Sequence, residues 1–165
     1  MTGRTPSDYI LVRYVRGEFS AVAHYKIRNS NIVSEIVDQE AIIMDLNSGI
    51  YFSSQDVGAV IWDGIVCGFE EYQIKQRIRQ SFSVEPGDFE RELADFITVL
   101  IANNLIEIDP GESAPATDWS MPLPATRCPY NPPILSRHGD MQDLALLDPI
   151  HDVEGEGWPN RKTNF

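Results

Sequence analysis

Glu40 to Trp62 reads EAIIMDLNSGIYFSSQDVGAVIW, and the order of residue types along it decides the fold. Ala41 to Met44 are apolar and partly β-branched, which suits a buried strand. Asn47-Ser48-Gly49 is turn chemistry, because Asn and Gly tolerate the positive φ of a tight hairpin. Ile50-Tyr51-Phe52 resumes the strand. Ser53 followed by Asp56 fits a capping box, and Val57, Val60, Ile61 and Ile65 recur at helical spacing.

Working outward, three zones separate. Residues 1–30 form an N-terminal extension in which Tyr9 to Val15 and the alternating Phe19, Ala21, Ala23, Tyr25 and Ile27 allow a strand pair around Gly17. Residues 31–109 form the compact domain. Its strands are Ile32 to Val37, Ala41 to Asp45 and Ile50 to Phe52, the first two joined by the polar turn Asp38-Gln39-Glu40. A helix from about Ser54 to Cys67 follows, then a second from about Glu70 to Phe82 with Ile74, Ile78, Ser81 and Phe82 on one side. The third starts near Pro86 to Asp88 and turns Phe89, Leu93, Phe96, Ile97, Leu100 and Ile101 to one face. Asn103-Asn104 supplies a left-handed stop, and Leu105 to Ile108 a short final strand. The expected class is α+β: a small winged helix-turn-helix-like domain, with a three-stranded antiparallel sheet followed by three helices. Residues 110–165 differ in kind. Pro at the density of PGESAPATDWSMPLPATRCPYNPP opposes regular pairing, so a linker is expected, ending in a tail that mixes acidic and apolar residues.

Composition limits the function classes. The chain has 165 residues, enough for one domain with a real core plus extra segments. Its net charge of −12 opposes binding to a phosphate backbone, whose affinity comes from Lys and Arg. No run approaches the roughly 20 apolar residues of a membrane helix, and the N-terminus lacks the apolar core of a secretory signal. Cys67 and Cys128 stand apart without CxxC spacing, consistent with a reducing, cytoplasmic setting.

The order strand, LNSG turn, GxYF strand, then a helix carrying GxxIW (Gly58 to Trp62) resembles the PqqD-like family. These are RiPP recognition elements, or peptide modification chaperones. The resemblance covers Ile32 to Ile108. It implies a domain that binds the leader segment of a ribosomally made peptide and presents it to a modifying enzyme. In that family the leader adds as a strand along the third strand and lies against the third helix. The matching peptide-binding positions are Ile50, Tyr51, Phe52 and Ser53 on the strand, with Glu90, Ala94, Ile97 and Ile101 on the helix. An open strand edge offers backbone donors and acceptors, and neighbouring pockets read alternate side chains. Tyr51 and Phe52 point to opposite faces, so at most one lines the groove. Ile97 and Ile101 serve equally well as ordinary core. The chain departs from the family at Ser54-Gln55, where a Leu-Asn pair is common, and at Asp38-Gln39, where Gly is frequent.

The tail offers a second candidate. Asp140, Leu144, Leu147, Asp148, Ile150, His151 and Trp158 set short apolar groups among acids, in the manner of a linear recognition element on a tether. Such an element, about residues 139–159, makes the chain a fusion of the module with its own substrate or docking peptide. Tethering raises its local concentration to about the millimolar range. A strap packed permanently on the domain is the plain alternative. His138, Asp140, Asp143, Asp148, His151 and Asp152 are metal-ligating types, but their spacing matches no ligand pattern, so neither a metal nor a cofactor is expected.

No motif for an activated nucleophile, a phosphate loop or a zinc helix occurs, and Cys67, Cys128 and His24 lack a partner of the right kind in sequence. The chain is therefore read as no enzyme. The rival from another class is a winged-helix DNA-binding protein that uses Lys75, Arg77 and Arg79. The acidic total and a third helix with Glu90, Glu92 and Asp95 against Arg91 oppose it. The expected partners are a leader or precursor peptide and a modifying enzyme, with no nucleic acid and no membrane. A homodimer through an open strand edge stays open.

Overall fold

The fold was read from a computed structural model. It describes residues 12–15, 18–21, 24–85, 87, 89–110 and 116–139, with backbone only before residue 24. In chain order the elements are β1 (Val12–Val15), β2 (Glu18–Ala21), β3 (Tyr25–Ile27), β4 (Ile32–Val37), β5 (Glu40–Asp45), β6 (Ile50–Gln55), α1 (Val57–Val66), α2 (Glu71–Ser81), β7 (Phe82–Ser83), α3 (Phe89–Ala102), β8 (Ile106–Ile108), β9 (Cys128–Pro129) and β10 (Ser136–His138). The class is α+β. β1 and β2 form an antiparallel hairpin, Val15 opposite Glu18.

The main sheet has four strands in the order β10-β6-β5-β4, where three were expected. The fourth comes from the Pro-rich stretch read as a linker. β4 and β5 turn over Asp38 and Gln39, with φ of 49° and 67°. Two positive φ values in a two-residue loop match the twist of the flanking strands. The turn between β5 and β6 rests on Asp45. Its carboxylate accepts the Asn47 amide at 2.9 Å and the Ser48 hydroxyl at 2.8 Å, while Gly49 supplies the positive φ of 67°.

The sheet's inner face, through Ala41, Ile43 and Phe52, meets α1, and α2 and α3 complete the core. The apolar faces expected for α2 and α3 are the buried ones, with Ile74, Ile78, Phe89, Leu93, Phe96 and Leu100 inside. The expected capping box at Ser53 and Asp56 does not form. Ser53 belongs to β6, and Asp56 caps α1 with no side-chain bond. A capping box does start α2, where Glu70 and Gln73 exchange bonds. Asn104, with φ of 58°, is the left-handed stop after α3. β8 then pairs with β3, Ile106 opposite Ile27, so residues 24–30 pack with the domain.

Residues 117–121 also pack on the body. The Thr117 amide bonds the Cys67 carbonyl at 2.9 Å. Buried Asp63 on α1 accepts the amides of Ser120 at 3.3 Å and Met121 at 3.0 Å. Trp119 stacks on Phe69 with ring centroids 4.3 Å apart, and the Arg77 guanidinium lies 4.9 Å over the Trp119 ring. Met121 is buried. A Cβ on Gly64 would fall 2.6 Å from Ile74 and 3.0 Å from Trp119, so Gly64 lets α2 and the strap close on α1.

Candidate functional site

A strand edge is a row of backbone donors and acceptors. β6 would present one, but β10 lies on it antiparallel, with Ser136 opposite Ser53, Arg137 opposite Phe52 and His138 opposite Tyr51. Strand alternation turns Tyr51 and Ser53 to one face, and both meet the same tail residue. The Tyr51 and His138 rings stack with centroids 4.4 Å apart and an interplanar angle of 11°. Ser53 Oγ and His138 Nε2 are 3.1 Å apart.

On the other face Phe52 is buried in the core, and Ser54 donates its hydroxyl to the Ile134 carbonyl at 2.7 Å. The glycine of the GxxIW motif explains that position. A Cβ on Gly58 would sit 1.8 Å from Ser54 Oγ and 3.2 Å from the Phe96 ring. Gly58 thus lets β6, α1 and α3 converge beneath the tail.

Residues 130–135 cross from β9 to β10 over α3. Tyr130 donates its hydroxyl to Glu92 at 2.5 Å. Partial burial, then the bond to Glu92 and its charge, push the Tyr130 phenol above its ordinary pKa. A cavity of about 330 Å³ lies between this stretch and the helix, bounded by Glu92, Asp95, Phe96, Val99, Pro133 and Leu135. A second open pocket, of about 310 Å³, is bounded by Ser53, Ser54, Asp56, Asn131, Ile134 and Ser136.

Of the expected peptide-binding residues, Ile50 is half-buried and packs on the core edge, while Tyr51 and Ser53 contact the tail. The helix residues separate. Glu90 pairs with Arg79 at 2.6 Å, Ala94 is exposed, Ile97 is core, and Ile101 packs against the core. The face of α3 beneath the tail is instead Glu92, Asp95, Phe96 and Val99. Their i, i+3, i+4, i+7 spacing was the available signal, but which stripe the tail covers depends on where the sheet edge ends.

Asp140, Leu144, Leu147, Asp148, Ile150, His151 and Trp158 lie outside the described residues. The segment seated on β6 immediately precedes the window expected for a cis peptide. His24 contacts Glu70 at 3.2 Å, and Cys67 Sγ lies 3.6 Å from Asp63. Among the described residues no cluster of His, Cys, Asp or Glu is placed to hold a metal, and no helix is long and apolar enough to cross a membrane. The basic group on α2 is engaged within the protein. Lys75 pairs with Glu71 at 2.6 Å, Arg77 donates to the Met121 carbonyl, and Arg79 meets Glu90.

No curated protein and no solved structure gives a significant match to the chain. A family model does, that of Coenzyme PQQ synthesis protein D (PqqD), over residues 40–106. The matched stretch runs from the start of β5 to the first residue of β8 and takes in the β6 edge, Gly58 and the whole of α3. Over residues 40–106 the chain is therefore similar to the PqqD family.

Proposed function

We propose that this winged-helix-like unit is a peptide-recognition module without catalytic activity. It holds an extended peptide on the β6 edge over α3 and presents the sequence attached to it to a modifying enzyme. The observation that carries the reading is the strand already seated there, antiparallel in a three-residue register on β6. Backbone pairing supplies sequence-tolerant affinity, and the Tyr51, Ser53 and Phe96 environments supply selectivity. The engagement of Lys75, Arg77 and Arg79 within the fold favours a peptide over a nucleic acid.

The same strand favours a second reading, in which the module is fused in cis to its own docking peptide. The docking element is then 130–138, and the residues beyond Gly139 are what it carries. Selection of a displayed peptide library on the full chain tests the module itself. The expected outcome is enrichment of extended aliphatic sequences whose capture falls at least tenfold when Ser53→Pro disrupts the edge. Absence of enrichment, or capture indifferent to Ser53→Pro, would contradict the reading.

A further inference from the structure

The described residues after Asp109 are held in two different ways. Residues 117–121 are anchored by a buried residue, Met121, by a stacked tryptophan and by amides on buried Asp63. Residues 129–138 contain no fully buried residue. Their strand is three residues long, and open pockets of about 310 and 330 Å³ border the stretch. With no fully buried residue of its own, this stretch covers the groove without filling it.

Resting on the peptide-recognition reading, we propose that residues 130–138 are a resident pseudo-ligand of the β6 edge, displaced when an external peptide is captured. The anchor at 117–121 stays in place and keeps the displaced stretch near the groove. A short tether holds such a segment at about millimolar effective concentration. An external peptide must therefore bind β6 more strongly than this loosely packed stretch does, which makes the stretch a threshold against weak ligands.

The contacts of the pseudo-ligand define the class of peptide that replaces it. Backbone amides must pair along Ile50 to Ser53. A branched aliphatic residue belongs over Phe96 and Val99, where Leu135 and Pro133 now border the cavity. A donor belongs opposite Glu92, now met by the Tyr130 hydroxyl, and Asp95 beside it disfavours an acidic residue there. The ligand class is an extended aliphatic peptide bearing a hydroxyl or cationic donor.

The test uses the full chain and a fluorescent synthetic peptide of residues 129–139. Three proteins are titrated by anisotropy. One is the natural chain. The second is an opened variant, Leu135→Asp with Ser136→Pro, which places a carboxylate in the cavity lined by Glu92 and Asp95 and removes a strand amide. The third is a closed variant, Ser53→Cys with Ser136→Cys, whose facing positions cross-link on oxidation.

The opened variant is expected to bind at least tenfold more tightly than the natural chain. The closed variant should lose binding and recover it on reduction. Recovery on reduction keeps the test valid should the opened variant fail to fold. Equal binding by all three would overturn the displacement proposal while leaving peptide recognition standing. Absence of binding to a folded opened variant and to the reduced closed variant would overturn both.

Discussion

Asp63 and Asp45 show how single carboxylates organise this molecule. Asp63 is buried and takes the amides of Ser120 and Met121. Asp63→Ala leaves those amides without an acceptor and should cost about 2–3 kcal/mol, read from urea unfolding. Asp45 holds the turn into β6. Its pKa lies below the ordinary carboxylate range, first because of the Ser48 hydroxyl and then because of the Asn47 amide. A depressed folded pKa gives stability that is present above the unfolded value and lost as pH falls through the folded one. Melting temperature should therefore fall in acid, and Ser48→Ala should reduce that acid-dependent part while lowering stability at neutral pH by about 1 kcal/mol or less. The sequence made the Asp45 turn legible, since Asn-Ser-Gly has few uses other than a hairpin. It did not make Ser54 legible. The sequence reads Ser54 as the start of the first helix, whereas it lies in β6 and donates its hydroxyl to the Ile134 carbonyl.

At the scale of elements, alternation and helical spacing were enough to read β4, β5, β6 and the buried faces of α2 and α3, because each buries a periodic stripe. β9 and β10 have two and three residues, too few for any period, and their Pro-rich surroundings read as a linker. Backbone pairing with β6 and the Tyr51–His138 stack provide what local sequence does not. The tail strand should be the weakest part of the sheet. Hydrogen exchange of the β10 amides should be at least tenfold faster than that of β5, which is central in the sheet. Tyr130→Phe, which removes the bond to Glu92, should speed exchange at residues 130–138 and leave the global unfolding midpoint within about 1 kcal/mol of the natural chain.

At the scale of the whole molecule, a domain similar to the PqqD family carries a strap whose residues 136–138 pair with its own β6 edge. The GIYF strand and the GxxIW helix made the family readable from sequence. The occupancy of the edge was not readable, since it depends on where 117–121 anchors and how far the chain then reaches. Shortened chains separate the two parts of the tail. Ending after Ala125 keeps Trp119 and Met121 and should change the unfolding midpoint little. Ending after Asp109 removes the Met121 burial and the Trp119 stack, and should cost about 3 kcal/mol or more. Both chains uncover β6, so only the first is expected to gain peptide binding without losing stability. The central claim is that β6 is the strand-accepting edge, and amide exchange on the opened variant, Leu135→Asp with Ser136→Pro, tests it most directly. Adding a saturating synthetic peptide of residues 129–139 should slow exchange at residues 50–55 by at least tenfold and leave β4 unchanged. Slowed exchange elsewhere with no change at residues 50–55 would contradict the account.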